Sequence, residues 1–235
     1  MSALNRPIKS LPCRDATGQS VQVAVSVVPM SRVLVKLWAK FVQPLVDLNY
    51  QHTGTGIPDQ KIRADVGWNW QHNHDWAAAH GMFLGPTRAM CVVIKQVGAP
   101  EFPIGMLTMV PRLNCNAFGV VRERGFSWYL SDAPFEVYQQ VLKIPPVRGV
   151  ASALLDCSIQ STLDIAGDGT HLLHADPRGG DKLIRFYRDT CRMVQLPPTN
   201  GSVTKVFRRQ DDPEEYFHFD DAQARTYSAK YDPRR

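Results

Sequence analysis

The chain has 235 residues, of which 44% are hydrophobic and 21% charged, ordinary globular values that exclude a disordered or fibrous chain. Its 27 basic and 22 acidic residues give a net charge of +5. The basic residues are scattered, with Arg208-Arg209 and Arg234-Arg235 the densest groups, which argues against a dedicated nucleic-acid-binding face. No apolar run approaches the roughly 20 residues of a bilayer span, and residues 1–20 lack the apolar centre of a secretory signal. The expectation is a cytoplasmic protein with no membrane contact.

Residues 1–20 are polar and read as an irregular lead-in. Residues 21–28 (VQVAVSVV) are β-branched and partly alternating, which predicts a first strand. Ser31 can cap a helix whose apolar positions 34, 37, 38, 41, 45 and 48 share one face. Pro44 should kink or split that helix, so two short helices with a break stand beside one long helix as expectations. The segment 68–80 (WNWQHNHDWAAAH) follows. Its three histidines lack ordinary metal-ligand spacing, so a surface loop and helix with packed aromatics is the simpler reading, and an aromatic wall of a substrate pocket the more interesting one. Residues 89–97 and 102–110, joined by a short turn, predict a hairpin, and 126–130 a third strand after a loop over 111–125. Residues 149–165 form an amphipathic helix ended by Gly167 and Gly169, followed by a short strand at 171–175, a helix over 180–193 and a last strand at 203–207. From 208 onward the composition becomes acidic and aromatic, and residues 208–235 read as a mobile polar tail behind one domain over 21–207. The five cysteines (13, 91, 115, 157 and 191) are odd in number and form no C-x-x-C pair, so they read as reduced, mostly buried thiols.

The chemistry concentrates between 126 and 193, a strand-helix-strand crossover that normally sets its strands parallel. At the start of its helix, Gly149 and Ala151 leave room beside unpaired backbone N–H groups, and Arg148 adds a positive charge. Such an opening suits a phosphate. Neither the G-x-x-x-x-G-K-[ST] loop nor the G-x-G-x-x-G fingerprint is present.

The order of elements over 21–207 resembles the GNAT superfamily of acyl-CoA-dependent N-acyltransferases. That superfamily carries Q/R-x-x-G-x-G/A at the loop-to-helix junction. Gly149 and Ala151 match it, while Pro146 stands at the Gln/Arg position. Leu173, Ala175, Phe186, Tyr187 and Met193 match a second motif, in which Gly180 replaces a common asparagine. The strand around Ser127-Trp128-Tyr129-Leu130 is similar to one that lines the cofactor in this superfamily. The resemblance implies an α/β (α+β) fold with a mixed, largely antiparallel central sheet flanked by helices. It implies acetyl-CoA in a notch between residues 127–131 and 171–175, its pyrophosphate on Val147, Arg148, Gly149, Val150, Ala151 and Ser152, and its pantetheine along Trp128, Tyr129 and Leu130.

The implied reaction is direct attack of an amine on the thioester, which needs a base for the amine and a donor for the departing sulfur. Tyr187 is the expected donor, and the base is open between Asp132, His174 and Glu101. Trp68, Trp70 and His72 fall where the superfamily builds its acceptor pocket. The acceptor could be a small amine, a protein amino group or an aminoacyl-tRNA. A homodimer is compatible with the sequence. The competing expectation is a non-catalytic binding protein on the same scaffold.

Overall fold

The computed structural model describes residues 4–15, 17–55, 60–95, 100–197, 201–203 and 215–235. The lead-in is not irregular. Ser10–Arg14 (β1) pairs antiparallel with Ser20–Pro29 (β2), because Leu11 and Cys13 alternate inward and are buried. Ser31 then caps Arg32–Leu37 (α1), its hydroxyl accepting from the Leu34 N–H at 3.3 Å. Of the two expected forms, the continuous helix is found, with a change of winding just before Pro44. Residues Trp38–Val42 form a π-helical turn that runs on into Gln43–Asn49 (α2), with the Gln43 N–H reaching back to the Trp38 carbonyl. Pro44 has no N–H, and its ring would crowd the carbonyl four residues earlier; the wider turn makes room without breaking the helix.

Two short strands follow, Tyr50–Gln51 (β3) and Lys61–Ile62 (β4), paired in parallel. Asn69 caps Trp70–Phe83 (α3), its side chain accepting from the His72 N–H at 3.1 Å. Next come Arg88–Ile94 (β5), Phe102–Ala117 (β6) and Val120–Asp132 (β7). The turn proposed at 98–101 lies partly outside the described residues, but β5 and β6 do pair antiparallel. The stretch 111–125 is no loop: β6 and β7 form one long hairpin turning at Phe118 and Gly119, both at positive φ (55° and 76°). A phenylalanine at such a turn carries no composition signal, since Asn or Gly normally marks it.

After Phe135–Val137 (α4) and a π-helical turn over Tyr138–Leu142, the chain enters Val150–Ala166 (α5), His171–Ala175 (β8) and Gly180–Arg185 (α6), which continues as a π-helical turn through Thr190. Val194–Gln195 (β9) and Gly201–Val203 (β10) follow. The strand expected at 203–207 lies, beyond Val203, outside the described residues.

The largest correction concerns the tail. Glu215–Phe219 (β11) pairs antiparallel with β8 on one side and β9 on the other, and Asp221–Ala229 (α7) follows with a complete capping box between Asp220 and Gln223. Tyr216, Phe217, His218 and Phe219 are all buried, which the acidic flank conceals in the sequence. Arg235 folds back onto Asp156 of α5 at 2.8 Å, so both partners are buried.

The strand order is β1-β2-β5-β6-β7-β8-β11-β9, with β10 on the far end of β6. Among the described residues, β7 with β8 is the one parallel pairing of this sheet, as the crossover through α5 requires. The sheet is mixed, largely antiparallel and flanked by helices, as expected. Its core is built from residues such as Val92, Ile104, Leu107, Met109, Leu154 and Ile159, all essentially without solvent access. Gly105 lets α5 settle on the sheet: a Cβ there would lie 2.6 Å from the Val150 side chain. Among the described residues no helix is long and apolar enough to cross a membrane.

Candidate functional site

The parallel ladder between β7 and β8 holds only for Gly125 with His171, Phe126 with Leu172 and Ser127 with Leu173. On its other edge, β7 pairs Ser127 with Met109 and Tyr129 with Thr108, leaving Trp128 as an extra, bulged residue. A bulge bends its strand and adds local twist. Just where Trp128 bulges, β7 parts from β8 and a notch opens. The notch leads into a cavity of about 350 Å³.

Its walls include Trp128, Tyr129, Leu130 and Asp132 from β7, Ala151 from α5, Leu173 and His174 from β8, and Tyr187 from the turn after α6. Trp68 completes the wall from the loop before α3. The structure therefore joins all three expected catalytic side chains, the three strand residues and Trp68 around one space. It leaves others out. Val147, Arg148, Gly149, Val150 and Ser152 do not line the cavity; they lie around the first turn of α5, next to Ala151, which does. Trp70 sits behind the wall, buried edge-on against Trp38 and Trp68 with ring centroids 6.1 and 6.0 Å apart. His72 is exposed on α3, away from the cavity, and serves the helix through its backbone N–H. Glu101, at the entrance to β6, is also outside.

At the start of α5, Gly149 adopts φ 76°, ψ 17°, a left-handed conformation natural for glycine. No side chain caps this end and its first turn holds no acidic residue, so the N–H groups of Val150, Ala151 and Ser152 have no partner within the helix. The preceding loop is partly committed. Val147 forms a β-bridge with Cys13, and the Arg148 N–H donates to the Pro12 carbonyl at 2.8 Å. An anion at this end would rest on the helix N–H groups and not on that of Arg148.

Tyr187 is buried, its ring 5.2 Å from Phe186 and 5.5 Å from Phe217. Burial, together with neighbouring Cys191, Asp132 and Asp65, raises its pKa and keeps the phenol protonated. His174 packs against Tyr216 with centroids 5.2 Å apart.

A charged cluster missed in the sequence faces the notch. Arg63 grips Asp65 through Nε and Nη2, at 2.8 and 2.7 Å, and its Nη2 also donates to the Asp132 carbonyl at 2.7 Å and to Oδ1 at 3.2 Å. The Ser131 hydroxyl donates to Asp65 as well. Burial pushes the Asp65 carboxyl up, but Arg63 and Ser131 outweigh it and the pKa falls below the ordinary value. For Asp132 the balance reverses: burial and the Asp65 charge outweigh Arg63, and its pKa is raised. Arg63 and Asp65 carry no motif, and only the path of the chain across the notch brings them to Asp132. That segment is held by the Gln43 side chain donating to the Asp65 carbonyl at 2.9 Å.

Beneath the notch, Ser127 Oγ lies 2.9 Å from Ser158 Oγ and 2.8 Å from His171 Nε2. His171 is fully buried and its pKa is lowered to about 3, first by burial and then by His218. It is a neutral strut between β8 and α5, unsuited to accept a proton.

No protein-family model matches this sequence, and no curated protein matches it. Among solved structures, the chain is similar to one described as apo FdhC, a nucleotide-linked sugar GNAT, at 10% identity, with 97% of each chain covered and a TM-score of 0.53. A structure of Mycobacterium smegmatis RimJ in complex with CoA-disulfide aligns at 14% identity, again over 97% of each chain, with a TM-score of 0.48. The first likeness shows the fold: this chain has the GNAT fold, as its motifs implied.

Proposed function

We propose that the protein is an N-acetyltransferase that moves an acetyl group from acetyl-CoA to an amine. The observation that carries this reading is the opening of β7 from β8 after Ser127, with the uncapped N-terminus of α5 beside it and a phenol at the far wall. The site fits the donor. The β7–β8 ladder ends at Ser127 with Leu173, which brings the backbone of Tyr129 and Leu130 to the notch, and the helix N–H groups of 150–152 suit a pyrophosphate. When bound, the thioester supplies an activated acyl carbon.

This chain's own residues would do the rest. The Asp132 carboxylate, raised in pKa and facing the cavity, takes the proton from the incoming ammonium. Arg63 holds Asp132 in place through its backbone and side chain. Tyr187 keeps its proton at neutral pH and can give it, or a hydrogen bond, to the departing sulfur. His174 is a second cavity residue able to carry a proton. The five cysteines are all free and buried, which fits the reducing cytoplasm.

Calorimetric titration with acetyl-CoA, free CoA and ATP tests this first. Saturable binding of acetyl-CoA and CoA but not ATP is expected, followed by acetylation in an amine screen. No binding at millimolar concentration would overturn it. One observation favours a second reading, a CoA-binding protein without turnover: the Arg148 N–H is already given to the Pro12 carbonyl of β1. Binding without acetylation of any amine in the screen would select that reading.

A further inference from the structure

We propose that the acceptor is a small amine with a flat apolar body, its ammonium seated on Asp132 and its body in the corner between Trp68 and Tyr129. The word acceptor rests on the acyl-transfer reading; the binding site does not.

The charges argue for a cation. Arg63, Asp65 and Asp132 together carry one excess negative charge. Asp65 is saturated, with two contacts from Arg63 and one from Ser131. Among the described residues Asp132 receives one side-chain hydrogen bond, at 3.2 Å through Oδ1, and its side chain is 38% exposed. The excess charge is thus presented on Asp132. An ammonium there would complete the cluster with a charge-assisted hydrogen bond. A carboxylate ligand would meet Asp132 with its own charge, while Arg63 gives its Nε and Nη2 to Asp65 and Asp132.

The rings argue for the body. Trp68 stands edge-on to Tyr129 at 5.0 Å and 87°, and both line the same cavity as Asp132. Aromatic faces beside a carboxylate favour a cation and its apolar carrier together.

The walls argue for small size. Residues 62–64 wall the cavity, with Arg63 bonded to Asp132 and Ala64 beside Gly179. A cavity of about 350 Å³ is at the lower end of ligand pockets, the size of a small molecule.

The test uses the whole protein without any acyl donor. 2-Phenylethylamine, its neutral isostere 2-phenylethanol and a hexapeptide with a free N-terminus are titrated while tryptophan fluorescence and heat are followed. The amine should bind saturably, on the order of tenfold or more tighter than the alcohol, as one charged hydrogen bond implies. Asp132→Asn should erase that preference, and Trp68→Leu should weaken amine and alcohol alike. Thermal melting confirms that each variant is folded; if Asp132→Asn does not fold, the amine-to-alcohol ratio and Trp68→Leu decide. Equal binding of amine and alcohol, an unchanged preference in Asp132→Asn, or tighter binding of the hexapeptide would overturn the proposal. Amine binding without acetyl-CoA binding would defeat the acyl-transfer reading and leave this site standing. Acetyl-CoA binding without amine binding would do the reverse.

Discussion

Arg63 reaches Asp132 twice, at 2.7 Å on its carbonyl and 3.2 Å on its carboxylate, while its strongest grip is on Asp65. This shared guanidinium leaves Asp132 as the carboxylate of higher pKa at the mouth of the notch. If Asp132 is the base, kcat/KM should rise with pH through a pKa above the ordinary carboxylate range, because only the ionised form accepts a proton. Asp132→Asn should lower kcat/KM by about 10²-fold or more and remove that limb. Arg63→Met should move the limb to higher pH, since it deletes the attraction that now restrains the shift. A pH profile unchanged in both variants would exclude Asp132 from proton transfer.

Tyr187→Phe should slow turnover while leaving acetyl-CoA affinity nearly intact, since the ring packing against Phe186 and Phe217 survives. Its raised pKa predicts no activity loss from phenol ionisation near neutral pH. Wild-type turnover in the phenylalanine variant would remove the hydroxyl from the mechanism.

Gly149→Glu should abolish acetyl-CoA binding by setting a negative charge at the α5 N-terminus. The control is Gly149→Ala. A Cβ at 149 meets nothing within 4 Å, so alanine adds only the strain of a positive φ, about 1–2 kcal/mol of stability, and should keep affinity. Calorimetry on both variants separates charge from backbone strain. Equal affinity in both would move the pyrophosphate elsewhere.

Stability should fall in mild acid. His171 and His218 have folded pKa values lowered to about 3 and about 4, chiefly by burial. Unfolded, each returns to about 6.5. Between these values the unfolded chain holds more protons, so the histidines' contribution is intact above about pH 6.5 and is lost as pH drops toward their folded values. Urea midpoints measured across that window should decline with acid, and less steeply in His171→Asn. A flat profile would mean that the histidines are charged in the folded protein.

Arg235 and Asp156 are buried together, with side chains 7% and 0% exposed. Removing one partner of such a pair costs about 3–5 kcal/mol, because the other charge stays buried. Arg235→Met should therefore destabilise the protein strongly by urea denaturation, and adding Asp156→Asn should recover much of the loss. Additive losses in the double variant would show that the two residues are not coupled.

Much of the fold is legible in local pattern. The β-branched run before Ser31, the amphipathic stretch after Gly149 and the short apolar strand at 171–175 each specify their element, because backbone propensity and one-sided burial agree there. The glycine opening at 149 and the matches around Tyr187 mark the correct end of the sheet. The same local reading fails where a distant partner decides. Residues 215–219 look like a polar tail until β8 and β9 offer both edges for pairing, and 111–125 looks like a loop until β6 and β7 align through a turn at Phe118 and Gly119.

The sequence alone determined the secondary elements with strong periodicity, the crossover around α5 and the residue types available to the notch. Tertiary structure decided which of them meet. Arg63 and Asp65 are far in sequence from Asp132, and His72 is near Trp68 yet faces solvent. A helix shows successive residues to different sides, and a strand bulge at Trp128 redirects its neighbours. Proximity in the chain therefore does not become proximity in the site; the sheet that opens between β7 and β8 makes that selection.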